Sequence, residues 1–392
     1  MRYISIKTEE LLKAVFAPNL EYAMGLIERI RKQVDPVEMA SRNLKLLMKN
    51  LKVERKKISE EAGVPEKFLI AVEKGEFVPF SVYEKIASYF GIYTSDFIGS
   101  KIEDSLIGVF FRHKGEEYLS LRDKHFLIRL KEWARVYRAS YPVRETEILK
   151  KFRQVLKEAN KRNVEEIGTR FRKIIGFDDY SLGQIKKWKT WEVKNWLRNI
   201  EESIHKAFGI KIIHVSPSAP PSFRSIYFPE TEVIFIIDPR NIAINLFQIM
   251  HELFHSFRKE FVAEFDIFNG YDGHSEEDFL ANQFAASVLI PRELLKKRLQ
   301  QVSPKDVKEL TSIYEEFLGS KEVFRYRLKA LGCRNLEELV KEIKPGLRPI
   351  YITDKNKLPK EIKQALNKLR EEGKITYNRW EELAKTDVLV GC

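Results

Sequence analysis

His251-Glu252-Leu253-Phe254-His255 is the stretch on which the reading of the fold turns. Two imidazoles four residues apart lie on one face of an α-helix, so both can reach a single ion. Glu252, on the adjoining edge, is placed to take a proton from water held by that ion. The residues around the trio are apolar on nearly every side: Leu246, Phe247, Ile249, Met250, Leu253, Phe254 and Phe257. A helix that is apolar all round belongs in a core. His251 and His255 are therefore candidate ligands, zinc is the expected ion, and Glu252 is the candidate general base. Histidines that only pack or cap a core helix are the alternative reading of the same residues.

Working outward, Lys211–Val215 reads as a strand, and Arg224–Phe228 with Glu232–Ile237 as a hairpin turning at Pro229-Glu230-Thr231. Asp238-Pro239 is expected to start the motif helix, which then runs to about Phe257. A second helix is expected from about Ser275 to Val288, stopping at Pro291 and opening on Glu276-Glu277-Asp278. Zinc needs a third protein ligand, with a fourth position left for water. An acid from this cluster can supply it, although acids at a helix start also answer the helix dipole and bind nothing. Asn282, one turn after Asp278, is spaced to bond a ligating histidine from behind. His274 has three readings: a replacement ligand, a donor to the developing oxyanion, or a loop residue without a role. Tyr271, Tyr227 and Arg224 are weaker oxyanion candidates. The strand Arg224–Phe228 offers an edge to which a peptide can add as a further strand.

Residues 8–40 read as one or two helices, and 41–98 as four short ones broken at Gly63-Val64-Pro65, Gly75 and Val78-Pro79. From 120 to 208, and again from 292 to 392, the pattern is helical with short breaks. Trp133, Trp188, Trp191 and Trp196 read as packing residues. A length of 392 residues accommodates two or three domains, and 44% apolar with 32% charged residues describes a folded globular chain. No apolar run approaches the ~18 residues that span a bilayer. The acidic residues in the first ten positions argue against a signal peptide. Only Cys333 and Cys392 carry thiols, which excludes a disulfide framework and a thiolate metal site and fits a reducing cytoplasm. The net charge of +12 is uneven: residues 101–200 carry 24 Lys and Arg against 14 Asp and Glu, and 201–300 carry 10 against 14. A basic middle of this kind is either a solvated helical surface or a patch for nucleic acid or an acidic partner.

The hairpin, the His-Glu-Leu-Phe-His helix and the run Asp278-x-x-Ala281-Asn282-x-Phe284-Ala285-Ala286-x-x-Leu289-x-Pro291 together resemble the ImmA/IrrE metallopeptidases, over roughly 160–330. Leu310–Tyr314 and Phe324–Leu328 resemble the tail of that domain. The resemblance implies a zincin-like domain with a thermolysin-like zinc site that cuts helix-turn-helix transcriptional repressors. It implies His251, His255 and Asp278 as metal ligands beside Glu252. The family usually carries glutamate where this chain has Asp278. Aspartate is one methylene shorter, so either the helix approaches more closely or Glu277 substitutes.

Ile58–Gly75 is similar to phage-repressor-type helix-turn-helix units, with Gly63 at the tight turn and Glu73-x-Gly75 closing the second helix. Ile86, Ala87 and Phe90 supply a further helix. The resemblance implies that the helix opening at Pro65 enters the major groove. Its Glu66, Phe68 and Ile70 suit base reading poorly. Lys49, Lys52, Arg55, Lys56 and Lys57 can still hold phosphates, and Lys56, Lys57 and Lys67 are the candidate DNA contacts. Docking of a protein partner is the other use of such a domain.

The expected fold is mainly α, of the α+β class: a helix-turn-helix domain plus a zincin-like domain whose small sheet packs on the motif helix. The expected divisions are an N-terminal helical segment 1–40, a helix-turn-helix domain 41–98, a basic helical connector 99–158, a zincin-like domain 159–330 and a C-terminal helical region 331–392. The expected function is zinc-dependent cleavage of a transcriptional repressor in stress response or mobile-element control. That implies a cytoplasmic protein with a protein substrate, DNA as a further partner, and no membrane. The rival is a DNA-binding regulator, or an antitoxin-like protein, whose peptidase-like domain senses a ligand or partner. Only the enzyme needs Glu252.

Overall fold

A computed structural model of the chain describes residues 35–51, 53–90, 92, 94–99, 121–142, 145–217, 221, 223–237, 241–258, 276–344, 350 and 352–385. The helices expected over 8–34, Lys52, the Asp238-Pro239 start, Tyr271 and His274 lie outside these residues. The described residues before 100, with Lys124–Arg129, form one compact unit; Leu121–Asp123 and Leu130–Lys385 form a second.

The first unit holds helices α1 (Pro36–Leu51), α2 (Arg55–Ala62), α3 (Glu66–Lys74), α4 (Phe80–Tyr89) and α5 (Thr94–Gly99). Proline at the first turn of α1 costs no hydrogen bond, and Asp35 Oδ1 accepts from Val37 N at 2.9 Å. Gly63 and Gly75 end α2 and α3 at φ +59° and +72°, a left-handed conformation that a Cβ would strain. Leu44, Leu47, Ile58, Leu69, Val72, Ile86, Phe90 and Phe97 make the core. The α5 helix, absent from the expected pattern, is closed onto α1 by Phe97 and by Asn43 Nδ2, which donates to Phe97 O at 2.8 Å.

The second unit takes the latter part of α6 (Leu121–Ser140), then α7 (Glu147–Lys157), α8 (Val164–Ile174), the single turn α9 (Leu182–Ile185) and α10 (Thr190–Phe208). Strands β1 (Lys211–Val215), β2 (Ser225–Phe228) and β3 (Val233–Ile237) follow, then α11 (Ile242–Arg258) and α12 (Glu276–Leu289). After α12 come α13 (Arg292–Val302), α14 (Val307–Tyr314), α15 (Lys321–Ala330), α16 (Arg334–Glu342), α17 (Lys360–Glu371) and α18 (Tyr377–Ala384). The strand order is β1-β3-β2, with β1 parallel and β2 antiparallel to β3. The run Val233-Ile234-Phe235-Ile236-Ile237 is buried at every position, as a central strand covered on both faces must be. The architecture is the expected one: mainly helical, α+β and zincin-like, with a small sheet beside the motif helix.

One core runs from Leu149 to Ile350, across the boundaries expected at 158 and 330. Its centre is a group of aromatic rings, one each from α7, α8, α10, α11 and α12: Phe152, Phe171, Phe208, Phe257 and Phe284, with paired centroids 5.0 to 5.8 Å apart. Edge-on and tilted ring packing of this kind is favourable beyond the area it buries, and it mounts α11 and α12 on one support. Trp133 is fully buried and donates to Leu383 O at 3.0 Å. Trp196 packs against Trp188, Tyr180 and Phe177. Trp191 departs from the packing expectation: it is 59% exposed, because its place on α10 faces away from the core. Among the described residues no helix is long and apolar enough to cross a membrane.

The position of α12 is set by two devices. Arg172, buried on α8, donates to Val288 O at 2.8 Å and Leu289 O at 3.3 Å, which answers carbonyls that the end of α12 leaves open. Gly168, on the same helix, lets α8 and α12 meet backbone to backbone: a Cβ there would fall 1.7 Å from Ser287 Oγ and 2.9 Å from Phe284 O. Gly168→Ala is therefore expected to destabilise the protein by about 1–3 kcal/mol through overpacking, against the small gain alanine brings to an unhindered helix. Thermal unfolding checks this; Ser287→Gly should restore part of the loss, while Phe284 O still obstructs the methyl.

Candidate metal centre

The motif helix begins at Asn241, whose Oδ1 accepts from Ala243 N at 3.0 Å and Ile244 N at 3.3 Å. Asparagine satisfies first-turn donors well. From there α11 is buried on nearly all sides, which carries His251, Glu252 and His255 into the interior with it.

Three donor atoms converge. His251 Nε2 and His255 Nε2 are 3.0 Å apart, and Asp278 Oδ1 lies 3.4 Å from the first and 3.8 Å from the second. A tetrahedral zinc ion with bonds of 2.0–2.2 Å holds its ligand atoms about 3.3–3.6 Å apart. The measured edges bracket that range, so the residues present fit the ion. Asn282 sharpens the fit. His251 Nδ1 donates to Asn282 Oδ1 at 2.9 Å, which leaves the lone pair of Nε2 facing the other two donors. All three side chains are buried, and their converging lone pairs would be satisfied by a cation at the centre.

The neighbouring acids divide. Successive residues on a helix point ~100° apart, so only one of three adjacent acids can face the histidines. That one is Asp278. Glu277 turns aside and pairs with Arg258 at the end of α11, Oε1 to Nε 2.9 Å. Glu276 is exposed and sits 3.6 Å from Lys161. Aspartate's shorter reach is met by close helix approach, the first of the two alternatives its presence raised.

Glu252 is oriented from the sheet. Ser225 Oγ, at the start of β2, donates to Glu252 Oε1 at 2.7 Å, with both residues buried. Nothing in the sequence marked Ser225, which is 27 residues away; pairing of β2 with β3 brings it there. Tyr227 is engaged elsewhere. Its hydroxyl donates to Glu232 Oε2 at 2.6 Å, and burial together with the Glu232 charge pushes its pKa well above the ordinary phenol value. Glu232 in turn accepts from Arg153 Nη2 at 2.5 Å, and the same guanidinium reaches Ser256 O on the motif helix at 3.3 Å. A buried carboxylate needs such partners, and this one ties the hairpin turn to α11.

On the first unit, Lys56, Lys57 and Lys67 are exposed. Lys57 stands 4.0 Å from Glu61, and Lys67 lies over the Phe68 ring at 5.2 Å. Arg55 is drawn into a 2.8 Å pair with Glu73, which braces α2 against α3.

The geometry predicts an order of zinc affinities. Asp278→Ala should fail to retain zinc through dialysis, Asn282→Ala should weaken binding about 10–100-fold, and Glu277→Ala should stay near the unmodified protein. Metal analysis of the dialysed proteins measures this, and a greater loss in Glu277→Ala than in Asp278→Ala would reverse the assignment.

Comparison with curated proteins finds no match, and neither does comparison with solved structures. Residues 205–329 match the family model of the IrrE N-terminal-like domain, peptidase M78, a stretch that takes in all of the sheet and both helices that carry His251, His255 and Asp278.

Proposed function

We propose that this protein is a zinc-dependent endopeptidase. The observation that carries the reading is the buried set His251, His255 and Asp278, spaced as ligands of one tetrahedral ion, with a glutamate beside it bonded to Ser225. The peptidase-family match over the same residues supports it. Zinc in such a site supplies Lewis acidity, which makes water a nucleophile near neutral pH. His251 and His255 would hold the ion through Nε2 together with Asp278, and Asn282 keeps His251 in the tautomer that could do so. Glu252 takes the proton of the attacking water and later delivers it to the leaving amine. Ser225 holds one carboxylate oxygen, which limits the rotamers from which that transfer occurs. An extended peptide laid along β2, the outer strand on this side of the sheet, would present its carbonyl to the site.

The substrate class in this reading is a helix-turn-helix transcriptional repressor in the cytoplasm. The first unit, with its α2–Gly63–α3 turn, is read as a helix-turn-helix domain that meets DNA through Lys56, Lys57 and Lys67 or docks a protein partner. A ligand-sensing regulator would have no use for a glutamate held in a buried hydrogen bond next to a metal ligand, and this favours the enzyme.

Glu252→Gln is the test. It keeps side-chain size and both histidines, so the variant is expected to retain zinc and its fold while peptide cleavage falls by about 10²–10⁴-fold. The assay takes helix-turn-helix proteins encoded nearby, and the chain itself, as substrates. Cutting that persists undiminished in Glu252→Gln would overturn the mechanism.

A further inference from the structure

Gln248 stands one turn before the motif, on the same stripe of α11. With its direction set at zero and ~100° per residue, Glu252 lies at about +40°, His255 at about −20° and His251 at about −60°. Gln248 is 2% exposed, and among the described residues neither its Oε1 nor its Nε2 has a hydrogen-bond partner. Asn245, at about +60° on the same stripe, is also 2% exposed, and its Nδ2 likewise has none. Three other buried polar groups beside the motif are bonded: Ser225 to Glu252, Asn282 to His251, and Ser256 Oγ to Leu253 O at 2.7 Å.

A buried carboxamide without partners is destabilising, and packing gives no reason for it, since methionine fills the same space with no polar atoms to satisfy. What a carboxamide does offer is an acceptor and donors side by side, the complement of another amide. The substrate of a peptidase is a chain of amides. Along α11, Gln248 precedes Glu252 by about 6 Å, close to the span of two residues of extended peptide. Resting on the reading of this site as a peptidase centre, the geometry points to Gln248 as a specificity residue whose carboxamide pairs with an amide of the bound peptide next to the scissile bond. That amide belongs either to the peptide backbone or to an Asn or Gln side chain. Gln248 moves no proton in the reaction. Its contribution is to hold substrate in register, and it is satisfied only when substrate is present.

The test uses the zinc-loaded full chain and three chelating probes: acetohydroxamate, which carries the metal-binding group alone, and hydroxamate-capped Leu-Ala and Gln-Ala dipeptides. Gln248→Met is expected to weaken both dipeptides about tenfold and to leave acetohydroxamate unchanged, which identifies a backbone amide. Weakening of the Gln-Ala probe alone identifies a side-chain amide. Equal affinities of the two proteins for all three probes would overturn the inference. Failure of the unmodified protein to bind acetohydroxamate would overturn the metal centre itself, and this inference with it. A second readout needs no ligand. Because the carboxamide has no partner among the described residues, Gln248→Met should melt at or above the unmodified protein, and a clear fall in melting temperature would make Gln248 a structural group and refute the proposal.

Discussion

Two imidazole nitrogens and a carboxylate oxygen lie within 3.8 Å of one another inside an apolar core, an arrangement that a positive charge at its centre would stabilise. Much of the second unit follows from that constraint. The donors come from α11 and α12, so these helices must be held at a fixed distance and rotation. The clustered phenylalanines do this in part. The α12 helix also carries Ala281, Ala285, Ala286 and Ser287, small residues that let it lie close to its neighbours. Gly168 completes that approach. The shorter aspartate at 278 belongs to the same arrangement, since a helix that packs this closely leaves less distance for a side chain to bridge.

Charge is placed with equal economy around the centre. Glu277, which would otherwise stand as a second carboxylate near Asp278, is held by Arg258 from the end of the motif helix. Arg153 and Glu232 form a pair in which each is 8% exposed, with Tyr227 and Ser256 O as further partners. Buried pairs of this sort add little net stability, because desolvation offsets the attraction, but they are costly to break and so define one geometry. Here the geometry defined is that of the β2–β3 turn against α11. Glu232 takes a left-handed φ of +50° at that turn, and Arg138 donates to its carbonyl at 2.7 Å. The other end of β2 carries Ser225, so a network at the turn bears on the orientation of Glu252 through a single short strand.

Much of this could be read from the residues in order. The i, i+4 histidines, the apolar surround of α11, the hairpin, the acidic opening of α12 and the glycines ending α2 and α3 are all local patterns. They depend on a backbone repeat of ~3.6 or ~2 residues and on the few residue types that tolerate a left-handed turn. The helical spans and the strands follow from that periodicity.

By itself, then, the sequence determined that two histidines and a glutamate share one helix, that this helix is buried, and that an acid and Asn282 follow on another. Only the tertiary structure decided which acid faces the histidines. The choice among Glu276, Glu277 and Asp278 is a rotation of α12 about its own axis, and that rotation is set by Gly168, Arg172 and Arg258, residues distant in sequence that meet it only in the folded chain. The same holds for Ser225, whose bond to Glu252 requires the sheet, and for Gln248, whose lack of partners among the described residues is a property of what is packed around it. Periodicity states which way a side chain leaves its own helix. It cannot state what the rest of the chain has placed there, because that depends on long-range packing, which the local repeat does not encode.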